Sequence, residues 1–337
     1  MPDLATRPGC PKRMVFGPCG GVRDDGGCEV APGPCVFLDD VPVAWPGPPV
    51  AASAPRPGGL LDRAAAGPVV LADLSVVPFD RSSVRRVVEL LTPAADAVLI
   101  GEHANRPDLP PALLAAEVLS AGGRPWTTLA CRDRNRVVLE QELAGLAAVG
   151  VDGVLCVTGD ARGPSARADA TQVFDLDGPR LTALAAAAGL TAAVAESPES
   201  PPVRARPGRV ALKQRAGAAV CVLNHVGSPA RVAGFVAAAR AAGASLPFVA
   251  AVAVYTDERS AGVLGRFPGL HLDGAAVARV LASADPRAAG IAAAVAEARA
   301  LLAVPGVAGV NLSGPASGHG EDEGARVKAE VAERIRG

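Results

Sequence analysis

From Gly59 onward, short runs of apolar, often β-branched residues alternate with longer alanine-rich amphipathic runs. The pattern predicts eight strands, at Val69–Leu74, Ala97–Ile100, Trp126–Leu129, Gly153–Val157, Ala192–Ala195, Ala219–Leu223, Phe248–Val252 and Val307–Val310. Helices are predicted near residues 82–91, 109–121, 135–148, 180–188, 210–216, 229–242 and 286–303. Alternation over this length favours an α/β fold of the (β/α)8 TIM barrel type over an open doubly wound sheet. No GxGxxG follows a predicted strand, which weakens the Rossmann alternative.

The composition is that of an ordinary enzyme rather than a nucleic-acid-binding or membrane protein. The 337 residues carry a net charge of −1 and a pI of about 6.4, so no basic footprint for nucleic acid or anionic lipid is present. The apolar runs are interrupted well before the ~20 residues of a membrane span. We therefore expect a cytoplasmic protein whose partners are small molecules or other proteins. Lysine occurs only at Lys12, Lys213 and Lys328, which we ascribe to compositional bias.

Four of the seven cysteines, Cys10, Cys19, Cys28 and Cys35, lie close together near the N-terminus. Four thiolates can complete a zinc site or hold an iron–sulfur cluster, and intervening glycines and prolines let the chain turn around one centre. Unligated thiols or disulfides are the alternatives, and disulfides are disfavoured because no secretory leader precedes the first cysteine. We predict a cysteine-rich metal-binding segment (residues 1–38), a proline-rich linker (39–58) and the barrel (59–337).

Polar residues follow the predicted strands, where the side chains of a barrel converge. They are Asp73, Glu102, His103, Asn105, Arg132, Asp133, Asp160, Glu196, Asn224, His225, Asp257, Asn311 and Ser313. Loops are polar in most proteins, which explains part of the pattern. The rest indicates a functional site at the carboxyl end of the strands. Residues 255–285 read as an excursion after strand seven with its own helices, of the kind that forms a lid.

The cysteine pattern has a recognisable form: Cys-Pro-Lys-Arg from residue 10, Gly-Pro-Cys-Gly-Gly from residue 17, Cys-Glu-Val from residue 28, and Cys35. Over about residues 8 to 38 it resembles the small module called the methylenetetrahydrofolate reductase C-terminal domain, placed here at the N-terminus. In relatives this module binds zinc or an iron–sulfur cluster beside a folate reductase. The resemblance implies the same arrangement in this chain.

The barrel resembles the methylenetetrahydrofolate reductase family over most of residues 68 to 225. The motifs are Leu-Ala-Cys-Arg-Asp-Arg-Asn-Arg at 129–136 and Val-Leu-Cys-Val-Thr-Gly-Asp at 154–160, with further likeness at 173–177 and 213–218. The resemblance implies reduction of 5,10-methylenetetrahydrofolate to 5-methyltetrahydrofolate. The hydride would come from FAD, or directly from NAD(P)H.

The resemblance also implies roles for single residues. Asp73 stands in the place of a glutamate general acid, and Asp160 in that of an aspartate beside flavin and folate, so both are predicted to be catalytic. Asn224 stands in the place of a pterin-binding glutamine, and Asn311 is predicted to bind substrate as well. Thr128 replaces a flavin-side histidine, which leaves flavin-free transfer open. The predicted cofactor-binding residues are Arg132, Asn135, Thr158, Gly159, Asp160, Phe174 and Asp177.

Each assignment has a structural alternative. Asp73, Asn135 and Asp160 can cap a loop or a helix, and Arg132 can pin its loop by pairing with an aspartate. Two functions therefore stay open at this point. The chain is a folate reductase, or it is a folate-binding accessory protein whose cysteine segment docks a redox or methyl-transfer partner.

Overall fold

The computed structural model describes residues 5–103, 106–160 and 169–337. Eight parallel strands, paired in chain order, close into a barrel, which confirms the predicted fold. They are β1 (Val69–Leu74), β2 (Ala97–Ile100), β3 (Pro125–Ala130), β4 (Gly153–Val157), β5 (Ala192–Glu196), β6 (Val220–Leu223), β7 (Phe248–Tyr255) and β8 (Val307–Ala316). The last two strands run well beyond their predicted ends. Asn105 lies outside the described residues.

Helices surround the barrel. They are α1 (Leu60–Ala66), α2 (Arg81–Leu91), α3 (Pro111–Ser120), α4 (Arg136–Val149), α5 (Gly178–Ala187), α6 (Arg206–Arg215), α7 (Pro229–Ala241), α8 (Glu258–Leu264), α9 (Gly274–Leu281), α10 (Pro286–Leu302) and α11 (Glu321–Arg336). The sequence pattern did not predict α1 or α11. No helix in the described part of the chain is both long enough and apolar enough to cross a membrane.

Two apolar layers explain why the strands are so uniformly hydrophobic. Leu71, Leu99, Trp126 and Leu155 belong to the cluster inside the barrel, whereas alternate residues pack outward against the helices. Strands buried on both faces are near-continuous apolar runs in parallel sheets. Because side chains alternate along a strand, Asp73 shares the inward face with Leu71, at the carboxyl end of β1.

The amino end of the barrel is closed by α1, and we call it the closed end. Leu60 of α1 packs into the interior cluster. Asp152 accepts hydrogen bonds from Leu60 N and from Trp126 Nε1, both at 2.7 Å. The carboxylate therefore satisfies two buried donors at once and fixes the helix under the barrel.

The opposite, carboxyl end is the open end, and two parts of the chain lie against it. The first is the cysteine segment (residues 5–38), which contains no helix or strand among its described residues beyond one Gly27–Pro34 bridge. With the linker it packs on the barrel's flank, where Phe16 and Trp45 contact α5 and α6.

The second is the strand-seven excursion (residues 256–285), which contains α8 and α9. A Cβ added to Gly269 would lie 2.6 Å from Gly20 O and 2.7 Å from Ser197 Oγ, so the backbone packs tightly there. Similarly, a Cβ on Gly314 would lie 2.6 Å from the Leu264 side chain. The excursion thus contacts the cysteine segment, the loop after β5 and the end of β8.

Candidate functional site at the open end of the barrel

The carboxylate of Asp73 lies at the open end, near the carboxyl end of β1. Asn311 Nδ2 donates to its Oδ1 at 2.8 Å, and Gly314 N donates to its Oδ2 at 3.1 Å. Both donors are neutral, and the side chain is only half-buried. The carboxylate is therefore held in one orientation while each oxygen keeps a lone pair for a further donor.

Asn311 adds a second acceptor beside Asp73. Its Nδ2 also donates to Ser313 Oγ at 2.9 Å, while its Oδ1 has no hydrogen-bond partner among the described residues. The residue is 3% exposed, so the free carbonyl oxygen is buried. A buried acceptor without a donor is costly unless a water or a ligand supplies one. The pair of residues predicted separately, as catalytic and substrate-binding, is brought together by the structure.

Asn224 lies at the end of β6 on the inward face. Its Nδ2 donates to Ser197 Oγ at 2.8 Å, and the side chain is half-buried. Ser197 is in turn backed by Gly269 of the excursion. The sequence reading missed Ser197, because a serine in a loop carries no distinguishing signal. Three other inward residues near the ends of their strands, Thr128, Val157 and Ala195, are neutral or apolar.

The loop after β4 is anchored through its backbone. Lys12 Nζ donates to Gly159 O at 2.6 Å, Arg132 Nη1 donates to Asp160 O at 3.1 Å, and Thr158 Oγ1 accepts from Gly178 N at 3.0 Å. Arg132 also pairs with Asp133. The bond from Lys12 joins this loop to the cysteine segment, whereas the bonds from Arg132 and Gly178 are made within the barrel. The role of the predicted cofactor-binding residues of this loop toward a cofactor stays a prediction.

Three other predicted cofactor-binding residues have partners within the protein. Asp177 is fully buried and accepts from Val15 N at 2.9 Å and from Arg180 Nε at 3.0 Å. Phe174 is buried, with the Lys12 ammonium 5.9 Å from its ring centre. Asn135 caps α4 by accepting from Val138 N, the alternative foreseen for it. Phe174 and Asp177 thus lie under the cysteine segment.

We call the contacts between the barrel and the cysteine segment the joint. A buried charge cluster also belongs to it. Glu196, at the end of β5, pairs with Arg206, Arg209 and Lys213 of α6. Burial raises its pKa, but the charges of Lys213, Arg209 and Arg206 outweigh burial and lower it to about 2. The Arg206 guanidinium also donates to Cys19 O at 2.9 Å. Glu196 therefore has a structural role, although it lies at the end of a strand like other polar residues of the open end.

The three lysines occupy similar positions in the fold. All are buried, and each donates to a backbone carbonyl at the open end: Lys12 to Gly159 O, Lys213 to Ala195 O, and Lys328 to Asp73 O. A compact ammonium on a flexible stem suits a single buried carbonyl better than a planar guanidinium fork does. Burial lowers the pKa of Lys328 to about 8, although the nearby Asp73 charge opposes the shift. Compositional bias therefore explains the arginines but not these positions.

The four N-terminal cysteines line one cavity of about 180 Å3, together with Lys12 and Glu29. Burial raises the pKa of the Cys10 and Cys35 thiols, and Cys19 Sγ lies 3.4 Å from Glu29 Oε1. Within the described ranges, no three His, Cys, Asp or Glu side chains are placed to hold a single metal ion. The thiols therefore share a cavity but do not form a closed zinc site. The cavity has the volume of several water molecules at ~30 Å3 each.

No family model matches the chain, and no curated protein matches it. An uncharacterized protein from Clostridium thermocellum that binds two copies of 5-methyl-5,6,7,8-tetrahydrofolic acid has a similar structure. The TM-score is 0.59 at 10% identity, covering 82% of this chain and 100% of that one. Tryptophan synthase from M. tuberculosis matches with a TM-score of 0.49 at 15% identity, over 85% of this chain and 99% of that one. A 2,3-dimethylmalate lyase of the PEP mutase/isocitrate lyase superfamily gives 0.46 at 13%, over 75% and 77%.

These comparisons overturn the family assignment. The prediction that the chain belongs to the methylenetetrahydrofolate reductase family is wrong, and so is the predicted reduction of methylenetetrahydrofolate, because no model of that family matches the chain and none of the similar structures named above is a folate reductase. The physical reason lies in the motifs. Within these motifs, Gly159, Phe174 and Asp177 contact the cysteine segment, so packing explains their presence without a particular reaction. At such low identities the similarity concerns the barrel fold alone.

Proposed function

We propose that the open end of the barrel binds a reduced folate and that the chain is an enzyme acting on it. One observation carries the proposal: the Asp73 carboxylate, fixed by neutral donors, lies beside the unpartnered carbonyl oxygen of Asn311. Two adjacent acceptors suit a ligand that presents adjacent N–H donors. The 2-amino group and the N3–H of a folate pteridine ring form such an edge.

The charge at Asp73 favours this mode of recognition. A carboxylate that accepts two parallel N–H bonds from a planar nitrogen group gains both energy and orientation. Each oxygen of Asp73 already accepts one bond from the protein, and its remaining lone pairs suit two more donors. Because Asn311 and Gly314 fix the carboxylate beforehand, binding would not have to order it.

The surrounding surface suits a flat ring with a polar rim. Val157 and Ala195 offer small apolar contacts, and Asn224 places an amide opposite the Asp73 side of the barrel. The Clostridium thermocellum protein, which has a similar barrel, binds a reduced folate. This supports the choice of folate among pteridines, although the sequences share only 10% identity.

Calorimetric titration of 5-methyltetrahydrofolate into the full chain, under anaerobic conditions, tests the proposal. We expect saturable binding, and at least a tenfold loss of affinity in Asp73→Asn, which corresponds to about 1.4 kcal/mol. Asp62→Asn is the matched control, because Asp62 accepts Gly58 N next to α1 at the closed end. Absence of binding to the wild type, or equal affinity in all three proteins, would refute the proposal.

We also propose that Cys10, Cys19, Cys28 and Cys35 hold an iron–sulfur cluster rather than a zinc ion. The observation favouring this is that all four thiols line one cavity of about 180 Å3 without converging on a single ion position. Four sulfurs about 2.3 Å from one zinc ion would define a single ion position, which the described residues do not provide. An iron–sulfur cluster bound there would be attached to Cys19, whose backbone carbonyl accepts a hydrogen bond from Arg206 of the barrel.

Anaerobic reconstitution with iron and sulfide, followed by visible absorption and metal analysis, tests the second proposal. We expect charge-transfer absorption with acid-labile sulfide in the wild type, and its loss in Cys19→Ser. Cys156→Ser is the control, because Cys156 is buried in the barrel wall. Stoichiometric zinc without sulfide, or no bound metal at all, would contradict the cluster.

A further inference from the structure

His225 directly follows Asn224 and is 5% exposed, yet it has polar partners on both ring nitrogens. Its Nδ1 lies 2.7 Å from His271 O in the excursion, and its Nε2 lies 2.6 Å from Glu297 Oε1 on α10. The backbone adds a third tie, because His271 N donates to His225 O at 2.9 Å. One imidazole thus connects β6, α10 and the excursion.

The partners determine where the protons are. A carbonyl oxygen only accepts, so Nδ1 must carry a hydrogen toward His271 O. Nε2 faces a carboxylate, which favours a second hydrogen and therefore an imidazolium. Burial lowers the pKa of His225, but the hydrogen bond and charge of Glu297, with the His271 carbonyl, outweigh burial and raise it above its ordinary value.

The excursion held by this contact supports the residues that line the open end. Gly269 packs on Ser197, which accepts the hydrogen bond of Asn224. Leu264 packs on Gly314, whose backbone N–H holds Asp73. A shift of the excursion would therefore loosen support for both side chains at once.

We propose that protonated His225 is a positioning residue that holds the strand-seven excursion closed over the open end of the barrel. When the ring loses one proton, the remaining hydrogen stays on Nε2 because the Glu297 carboxylate is the stronger acceptor, and the Nδ1 lone pair then faces His271 O. The side-chain hydrogen bond to the excursion is lost, and only the backbone bond from His271 N to His225 O still holds the excursion on that side. The contact is present below the pKa of His225 and lost as the pH rises through it.

Other titratable or charged groups lie on the elements packed around the pair. They are His271 and Asp273 of the excursion, Arg279 of α9, and Tyr255 of β7. Burial raises the pKa of Tyr255, so the tyrosine does not titrate near neutrality. His271 is the second histidine in the group, and an experiment must therefore resolve the two rings.

Histidine ring NMR and amide hydrogen exchange, both on the ligand-free full chain, test the proposal. With four histidines in the chain, His225→Gln assigns the signal directly. We expect His225 to titrate above its ordinary value of ~6.5. Exchange at residues 266–273, corrected for its intrinsic pH dependence, should accelerate about tenfold as His225 deprotonates, the size expected for one charged hydrogen bond.

Three variants separate this account from a merely structural role. Glu297→Gln should lower the pKa of His225 and move the exchange transition to lower pH. His225→Gln, whose amide can still donate to Glu297, should abolish the pH dependence. His319→Gln, in the loop before α11, should leave it unchanged. The proposal would be overturned if amide exchange at residues 266–273 did not change as His225 titrates. It would also be overturned if His225 in the wild type titrated at or below ~6.5. Because no ligand is present, failure of folate binding would not affect this result.

Discussion

Asp152 and Asp96 at the closed end of the barrel and Asp73 at the open end have different surroundings. At the closed end, Asp152 accepts from a tryptophan and a backbone N–H, and Asp96 accepts from Arg63, Arg336 and Val70 N. At the open end, Asp73 accepts from two neutral donors and lies beside a carbonyl oxygen that has none. Asp152 and Asp73 each accept two hydrogen bonds, but Asp152 is buried, whereas Asp73 is half-buried and lies beside an acceptor without a donor. Exposure and the neighbouring unpaired acceptor, rather than residue type or the number of hydrogen bonds, separate a structural carboxylate from a candidate ligand-binding one.

Glu196→Gln should have the largest effect, because Glu196 is a committed carboxylate at the open end. Removing its charge leaves Arg206, Arg209 and Lys213 buried without compensation, at a cost of about 3–5 kcal/mol. Urea unfolding at neutral pH measures it. The pKa of about 2 means that the ionised group contributes stability fully above its ordinary value of 4.5, and that this is lost as the pH falls toward 2. The variant should lack this part of the acid dependence. An unfolding free energy equal to wild type would show that the cluster is not structural.

Asp152→Ala should have the second-largest effect, lowering the free energy of unfolding by about 2–4 kcal/mol. Trp126 Nε1 and Leu60 N would both be left as buried donors without an acceptor. Thermal unfolding measures the stability, and folate titration of the surviving folded protein should give wild-type affinity. Weakened binding without lost stability would reverse the assignment of the two ends.

Gly269→Ala should cost about 1–2 kcal/mol, since the residue has a φ of +73° and its Cβ would meet Gly20 O and Ser197 Oγ. Gly47→Ala is the matched control: its φ is +82°, but nothing lies within 4 Å of the added Cβ. The difference between the two variants in chemical denaturation isolates the contact of the excursion. If the two losses are equal, the excursion does not pack on the open end.

Asp73→Asn should have the smallest effect on stability, within about 1 kcal/mol, because an amide oxygen can still accept one of the two bonds and the site is half-buried. Its large effect should be on folate affinity. Urea unfolding and ligand titration of the same preparation compare the two directly. A stability loss as large as that of Asp152→Ala would place Asp73 among the structural carboxylates.

The barrel could be predicted from sequence because its signal is local and repeated. Strands such as Val69–Leu74 and Gly153–Val157 are short apolar runs between amphipathic helices, and they begin and end where predicted. The helix α1 was missed because its seven residues follow a proline-rich stretch and its burial depends on the barrel above it. The extensions of β7 and β8 depend on pairing with each other rather than on local propensity.

The site was predicted less well because its members are distant in sequence. Asp73 and Asn311 were selected as strand-end residues, but their hydrogen bond joins positions 238 residues apart. Glu297 and Ser197 carry no motif, and the three lysines were set aside as a compositional effect. Asp177 and Phe174 were assigned to a cofactor by resemblance; the structure buries both against the cysteine segment, and their role toward a cofactor stays a prediction.

A crystal structure of the chain soaked or co-crystallised with 5-methyltetrahydrofolate tests the central claim most directly. The account predicts the pteridine ring inside the open end, with its 2-amino and N3–H edge within hydrogen-bond distance of Asp73 and of Asn311 Oδ1. A ligand bound elsewhere, with Asp73 and Asn311 unchanged and facing water, would contradict it.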